Sequence, residues 1–226
     1  MTLLYSCEHA SNSIPADFHY LFIQANEVLA SHRGWDPGAI GIAEVMKAHL
    51  QAPLFTTTVS RLLVEVNRSV GHGQLFSEFT QSLSAPEKES LLRQFYFPYR
   101  NAVEDFIRAS AKPVLHFSIH TFTPVWKGEN RLVDVGLLFD PSRKLESQVC
   151  KHLLEGLQAA LPLAICFNEP YQGTDDGFTT YLRTQFANEA YSGVEIEVNQ
   201  KFLGAEQIGI SQALAQSIAR LSESLA

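Results

Sequence analysis

The sequence predicts an α/β fold, a three-layer α/β/α sandwich with helices on both faces of a mostly parallel or mixed sheet. Short apolar runs rich in β-branched residues alternate with longer segments of helical periodicity along the chain. Such alternation favours parallel strands, because the chain crosses back over the sheet between neighbours. No linker-like stretch interrupts the 226 residues, so we expect a single domain over residues 1–226.

In the first half of the chain, residues 3–7 are an apolar run that predicts a buried strand. Residues 17–30 carry apolar side chains at helical spacing. A second helix is expected to begin with Asp36 as its N-cap and Pro37 in its first turn. The β-branched runs at 54–59 and 62–66 predict two further strands. Residues 85–110 give the longest helical pattern, which Pro98 should kink or break.

In the second half, strands and helices continue to alternate. Apolar runs predict strands at 114–118, 133–139, 163–167 and 194–198. Helical spacing predicts helices at 142–160 and 179–190, and an amphipathic helix over about 205–225.

Charge and cysteine content narrow the function. The formal net charge is −7, so attraction to nucleic acid or to an anionic membrane surface is not expected. Three irregularly spaced cysteines argue against a disulfide framework and fit a reducing compartment. No apolar stretch reaches the roughly 20 residues that span a bilayer, and we expect a cytoplasmic protein.

Candidate metal ligands stand at the ends of two predicted strands, where α/β sheets usually carry their chemistry. Glu8 and His9 follow the first strand, and His120 follows the strand at 114–118. Each alone is more simply a turn residue or a structural histidine. Together, two imidazoles and a carboxylate form the ligand set of several hydrolytic zinc sites. His116, on the same strand face as His120, is a weaker candidate.

Three further segments suggest catalysis or substrate binding. Glu195 and Glu197 alternate with apolar residues, which fits either a strand with one wet face or a general base beside a metal. Arg68 ends an apolar run that begins near Arg61, which suggests either a surface ion pair or a site for a substrate carboxylate. Asp36 is either a helix cap or an acidic residue near the site.

Six short segments, in this order, resemble the N-formylglutamate amidohydrolase family. They are Cys-Glu-His-Ala at 7–10 with a following proline, Trp-Asp-Pro-Gly-Ala at 35–39, Val-Asn-Arg at 66–68, Ile-His-Thr-Phe at 119–122, Asn-Glu-Pro-Tyr at 168–171 and Glu-Ile-Glu-Val-Asn-Gln at 195–200. The chain departs from the family's pattern at Glu65, where an aspartate is common, and at Asn199, where a basic residue is common.

The resemblance implies a fold related to zinc carboxypeptidases and a divalent metal, with zinc expected. Glu8, His9 and His120 are implied as its ligands. The general base is implied to be Glu197, with Glu195 second.

The resemblance also implies that Asn67 and Arg68 hold a substrate carboxylate. Asp36 and Arg61 are counted with them as substrate-binding residues.

The expected reaction is hydrolysis of N-formyl-L-glutamate, a small anionic substrate, to formate and glutamate. Three alternatives stay open. The first is a zinc carboxypeptidase or another N-acyl amino acid deacylase with the same site. The second is a non-catalytic module that binds an anion, and the third is a cysteine hydrolase that uses Cys7.

Overall fold

A mixed six-stranded sheet forms the centre of the computed structural model, which describes residues 1–224. The strands are β1 (Thr2–Cys7), β2 (Leu54–Thr56), β3 (Val114–Phe122), β6 (Val135–Leu138), β7 (Ile165–Phe167) and β8 (Tyr191–Asn199). Their order across the sheet is β2-β1-β3-β8-β6-β7. The first four in this order are parallel, whereas β6 runs antiparallel to β8 and parallel to β7. A separate hairpin pairs β4 (Val125–Trp126) with β5 (Glu129–Asn130).

Helices cover both faces of the sheet, which confirms the predicted α/β class. They are α1 (Asn26–Ala30), α2 (Ala39–Leu50), α3 (Ala85–Leu91), α4 (Phe97–Ala109), α5 (Lys144–Ala160), α6 (Phe178–Gln185) and α7 (Ala205–Ser224). One core cluster joins α2, α5 and α7 to the sheet, and a second joins α4 and α6 to its other face. Adjacent strand residues point to opposite clusters, as Leu4 and Tyr5 do.

Two predicted elements in the first half were wrong. Residues 17–30 do not form one helix, because a 3-10 helix at Ala16–Phe22 is separated from α1 by Gln24, whose φ is 64°. Residues 62–66 form turns instead of a strand. Their apolar side chains divide between two core clusters, and an apolar run buried in this way looks like a strand in the sequence.

The long helix adapts to Pro98 by widening instead of breaking. Between α3 and α4, residues Leu92–Tyr96 form a π-helical turn in which the Phe97 N–H donates to the Leu92 carbonyl. Proline has no N–H to donate, and a wider turn is a common way for a helix to absorb such a defect. The helix therefore continues to Ala109.

The predicted C-terminal helix is present as α7, although Leu225 lies outside the described residues. Within residues 1–224, no helix is both long enough and apolar enough to cross a membrane.

Candidate active site

Three buried side chains, those of His9, Asp36 and His120, meet just beyond the carboxyl end of β1 and close to the carboxyl end of β3. The two Nδ1 atoms of His9 and His120 lie 3.1 Å apart. Asp36 Oδ2 lies 3.2 Å from the first and 3.0 Å from the second. Each of the three residues is less than 5% exposed. This group is the candidate metal cluster.

Asp36 was expected to be a helix N-cap, but the helix starts later. Gly38 occupies the N-cap position of α2 with φ of 88°, a conformation that favours glycine. The Asp36 N–H donates to the carbonyl of His9 at 3.0 Å. The aspartate is thus anchored beside His9, and its carboxylate is left to face the two imidazoles.

The outer ring nitrogens of both histidines face carboxylates. His9 Nε2 lies 2.7 Å from Glu65 Oε1, and His120 Nε2 lies 3.1 Å from Glu8 Oε2. A neutral imidazole that donates through Nε2 has a lone pair on Nδ1. This carboxylate–histidine pattern is typical of metal-ligating histidines.

The donor set fits a divalent cation. Two Nδ1 lone pairs and one carboxylate oxygen in mutual contact repel one another unless a cation or a proton lies between them. The Arg61 guanidinium offsets part of this repulsion from the side, because it contacts His9 Nδ1 and Asp36 Oδ1. Tetrahedral zinc with bonds of 2.0–2.1 Å places its ligand atoms about 3.3 Å apart, close to the distances in this cluster. Although burial opposes the charged form, hydrogen bonding to Asp36 and Glu8 raises the pKa of His120 well above its ordinary value.

Glu8 was expected to be a ligand, but Asp36 completes the group of three. The Glu8 carboxylate accepts hydrogen bonds from the hydroxyls of Tyr99, at 2.7 Å, and Ser118, at 2.5 Å. Burial alone would raise its pKa, but the hydrogen bond and charge of His120 lower it well below the usual range. Glu8 is therefore a fixed anion that orients His120 from the side away from Asp36.

Glu197 stands beside the cluster with one unused oxygen. It pairs with His120 in the register of β8 against β3 and is 6% exposed. Its Oε2 is buried and has no hydrogen-bond partner among the described residues. Burial raises its pKa to about 8, and the charges of Asp36 and Glu195 act in the same direction. Glu195 is engaged elsewhere, because its Oε1 accepts a hydrogen bond from the Thr179 hydroxyl.

The predicted substrate-binding residues occupy different surroundings. Arg61 donates to Asp36 Oδ1 at 2.9 Å and also contacts His9 and Glu65. Arg68 donates only to carbonyls, at 2.6 Å to Asp176 and 3.1 Å to Asn67. Within the part of the chain that the structure describes, Arg68 forms no ion pair.

Asn67 uses its side-chain oxygen to cap α6, accepting from the Phe178 N–H at 2.7 Å.

A cleft of about 420 Å³ opens onto the metal cluster and the predicted substrate-binding residues. Glu197, Arg61 and Arg68 line it, together with Tyr171 and the half-exposed Trp126 of the β4–β5 hairpin. Tyr171 lies in the Asn-Glu-Pro-Tyr segment noted above. No role was predicted for Glu65 beyond its departure from the family pattern, yet it orients His9.

Two other sequence candidates lie outside the cluster. His116 is buried deeper along β3, bonded to the hydroxyls of Ser6 at 2.6 Å and Tyr191 at 2.8 Å. Cys7 is fully buried, and burial raises the pKa of its thiol well above the ordinary value. A buried thiol that stays protonated is a poor nucleophile, which argues against the cysteine hydrolase.

The chain is similar to known proteins in both sequence and fold. The family model for N-formylglutamate amidohydrolase matches residues 1–203. A gene product of Agrobacterium tumefaciens, Atu2144, is 28% identical with a TM-score of 0.85, over 99% of this chain and 91% of that one.

The fold is also similar to that of N-formylglutamate amidohydrolase from Ralstonia eutropha JMP134. That protein has 16% identity and a TM-score of 0.73, over 99% of this chain and 93% of that one. No curated protein sequence matches the chain. The chain is a hydrolytic enzyme that belongs to the N-formylglutamate amidohydrolase family.

Proposed function

We propose that this enzyme is a metal-dependent amidohydrolase that cleaves N-acyl amino acids, with N-formyl-L-glutamate as the first candidate substrate. The observation that carries the proposal is the juxtaposition of two groups. Three buried acceptors, on His9, Asp36 and His120, meet at one point, and the unpartnered carboxylate of Glu197 lies beside them. The family membership supports the same reaction class.

His9, Asp36 and His120 would hold the metal, and zinc is the first candidate because two imidazoles and one carboxylate are a common catalytic zinc set. When bound, such a cation lowers the pKa of water and polarises a carbonyl. Glu8 and Glu65 keep both imidazoles in the tautomer that presents Nδ1.

Glu197 acts as the general base and then as the general acid. Its buried Oε2 takes a proton from the attacking water and returns it to the amine that leaves. A carboxyl whose pKa is raised to about 8 is matched to proton transfer in both directions near neutral pH, since the driving force is small either way.

The two arginines act on different parts of the substrate. Arg61 is held against Asp36 and Glu65 at the cluster, where its charge stabilises the negative charge that develops on the carbonyl oxygen. Arg68 has donors left over after its two carbonyl contacts, and its planar fork suits the carboxylate of the amino acid. Fixing that carboxylate orients the scissile amide.

The test joins metal content to turnover. The purified protein is analysed for zinc, and hydrolysis of N-formyl-L-glutamate is measured before chelation, after chelation and after zinc is returned. We expect about one zinc per chain and activity that follows the metal. A panel of N-formyl-L-glutamine, N-acetyl-L-glutamate and N-formyl-L-leucine then ranks the acyl group and the side chain.

Chelator-resistant turnover would overturn the metal dependence. If the zinc-loaded protein does not cleave N-formyl-L-glutamate but cleaves another compound of the panel, that compound becomes the proposed substrate and the mechanism stands.

The cysteines bear on the cellular compartment. Cys7 and Cys150 are free and buried, which supports the cytoplasmic location that the sequence suggested.

A further inference from the structure

The junction between the π-helical turn and α4 contacts both halves of the site. Tyr96, Tyr99 and Arg100 are spaced at i, i+3 and i+4, so their side chains share one helix face. They lie where the π-helical turn passes into α4. None of them lines the cleft, and the reaction described above does not use them.

The first contact is with the residue proposed to bind the substrate carboxylate. The Tyr96 hydroxyl donates to the backbone carbonyl of Arg68 at 2.7 Å. Arg100 Nη1 donates to the same carbonyl at 3.1 Å and to that of Val66 at 3.0 Å. The side chains of Tyr96 and Arg100 therefore hold the backbone that carries Arg68.

The second contact is with the metal cluster. The Tyr99 hydroxyl donates to one oxygen of Glu8, and the other oxygen of Glu8 faces His120 Nε2. Tyr99 is buried, and burial raises its pKa well above the ordinary value, so it remains a donor at neutral pH. Through Tyr99, the helix holds the Glu8 carboxylate, and this carboxylate in turn orients the proposed metal ligand His120.

Arg100 shows that this arrangement is costly to build. Its side chain is buried. Within residues 1–224, its Nη2 has no hydrogen-bond partner and its guanidinium forms no ion pair. Its guanidinium lies over the rings of Tyr96, Phe178 and Tyr181, at 4.9, 4.7 and 4.0 Å. Aromatic faces compensate only part of the loss of water around a cation. An apolar side chain of similar volume would fill this space without that cost, but it could not donate to the two carbonyls.

We propose that Tyr96, Tyr99 and Arg100 are positioning residues that set the distance between the carboxylate-binding arginine and the metal cluster. This inference rests on the proposed function for the roles of Arg68 and His120. The two hydroxyls contact different groups, the Arg68 carbonyl for Tyr96 and the Glu8 carboxylate for Tyr99. Their effects on substrate binding and on metal binding can therefore be measured separately. Removing the Tyr96 hydroxyl should therefore change KM, whereas removing the Tyr99 hydroxyl should change zinc affinity.

The experiment compares Tyr96→Phe and Tyr99→Phe with a matched control, Tyr181→Phe. Each variant loses one phenol hydroxyl. The control keeps the ring that lies under Arg100 and loses a hydroxyl that donates to Glu104 and contacts neither Arg68 nor Glu8. KM and kcat are measured on N-formyl-L-glutamate at saturating zinc, and zinc affinity is measured by competition with a chelator.

We expect Tyr96→Phe to raise KM about 3- to 10-fold, which corresponds to one net hydrogen bond, with kcat within about twofold and zinc affinity unchanged. Tyr99→Phe should weaken zinc binding about 3- to 10-fold, because the carboxylate that orients His120 loses one hydrogen bond, with KM near the wild-type value. The control should match wild type in all three quantities.

Equal changes in KM and zinc affinity in both variants, or the same changes in the control, would overturn the proposal, since a merely structural helix gives that pattern. If the wild type cleaves none of the N-acyl amino acids tested, the proposed function fails independently of this result. The zinc competition still applies then: weaker binding in Tyr99→Phe alone supports the positioning role, and unchanged binding refutes it.

Discussion

Replacing Glu197 by glutamine should lower turnover by orders of magnitude and make the metal-free protein more stable. The folded protein raises the pKa of this carboxyl from 4.5 to about 8. Between these values the folded state holds a proton that the unfolded state releases, so stability falls by about 1.4 kcal/mol per pH unit as pH rises from 4.5 towards 8. At pH 7 the accumulated loss is about 3 kcal/mol. Glutamine has the same shape and does not titrate, so Glu197→Gln avoids this loss.

The assay is urea unfolding of wild type and Glu197→Gln at a series of pH values from 5 to 8, both in chelator, with activity measured separately after zinc is returned. The variant's advantage should grow with pH, while its turnover falls about 10²- to 10⁴-fold, the usual contribution of a general base. Titratable groups that do not interact with Glu197 cancel in the difference. A pH-independent difference, or a variant less stable than wild type at pH 7, would refute the account of Glu197 as a buried, unpaired carboxyl. Normal turnover would refute its role as the base.

Three further predictions follow from the site and its surroundings. Arg68→Lys should raise KM for N-formyl-L-glutamate about 10-fold or more with little change in kcat, because a point charge replaces a bidentate fork; steady-state kinetics tests this, and an unchanged KM would contradict it. Glu65→Gln should weaken zinc binding about 10- to 100-fold, measured by chelator competition, while equal affinity would count against its hold on His9. Burial lowers the pKa of His116 to about 4. The stability that this neutral histidine contributes above about pH 6.5 should therefore be lost as pH falls towards 4, by up to about 3 kcal/mol. His116→Gln should lack this loss when unfolding is measured at acid pH, and the same pH dependence in both proteins would argue against it.

The sequence predicted the sheet better than the loops that complete the site. The runs that became β1, β3 and β8 are apolar with reactive residues at or near their ends, and the strand-end rule placed His9, His120 and Glu197 together. Residues 62–66 carry the same apolar signal but are buried by loops on several sides. Local composition does not distinguish that burial from a strand.

Roles at the site were harder to predict than positions, because they depend on long-range contacts. Glu8 and Asp36 are both acidic residues near a predicted element end. Which of them faces Nδ1 and which faces Nε2 of His120 depends on the turn at Gly38 and on the hydrogen bond from Tyr99, 91 positions away from Glu8. The Tyr99 contact leaves no local signal in the sequence. Glu65 was visible only as a departure from the family pattern.

The last helix has a consequence for how the catalytic region can be isolated. The family match ends at residue 203, whereas α7 begins at Ala205 and packs on α2 and α5. It buries four large apolar side chains on one core cluster, those of Ile210, Leu214, Ile218 and Leu221. At about 1.5–3 kcal/mol each, these contribute on the order of the whole stability of a typical domain. A protein truncated after residue 203 would keep every residue of the site but would lose the helix that covers one face of the core. The segment that folds and catalyses therefore extends beyond the segment that the family model matches.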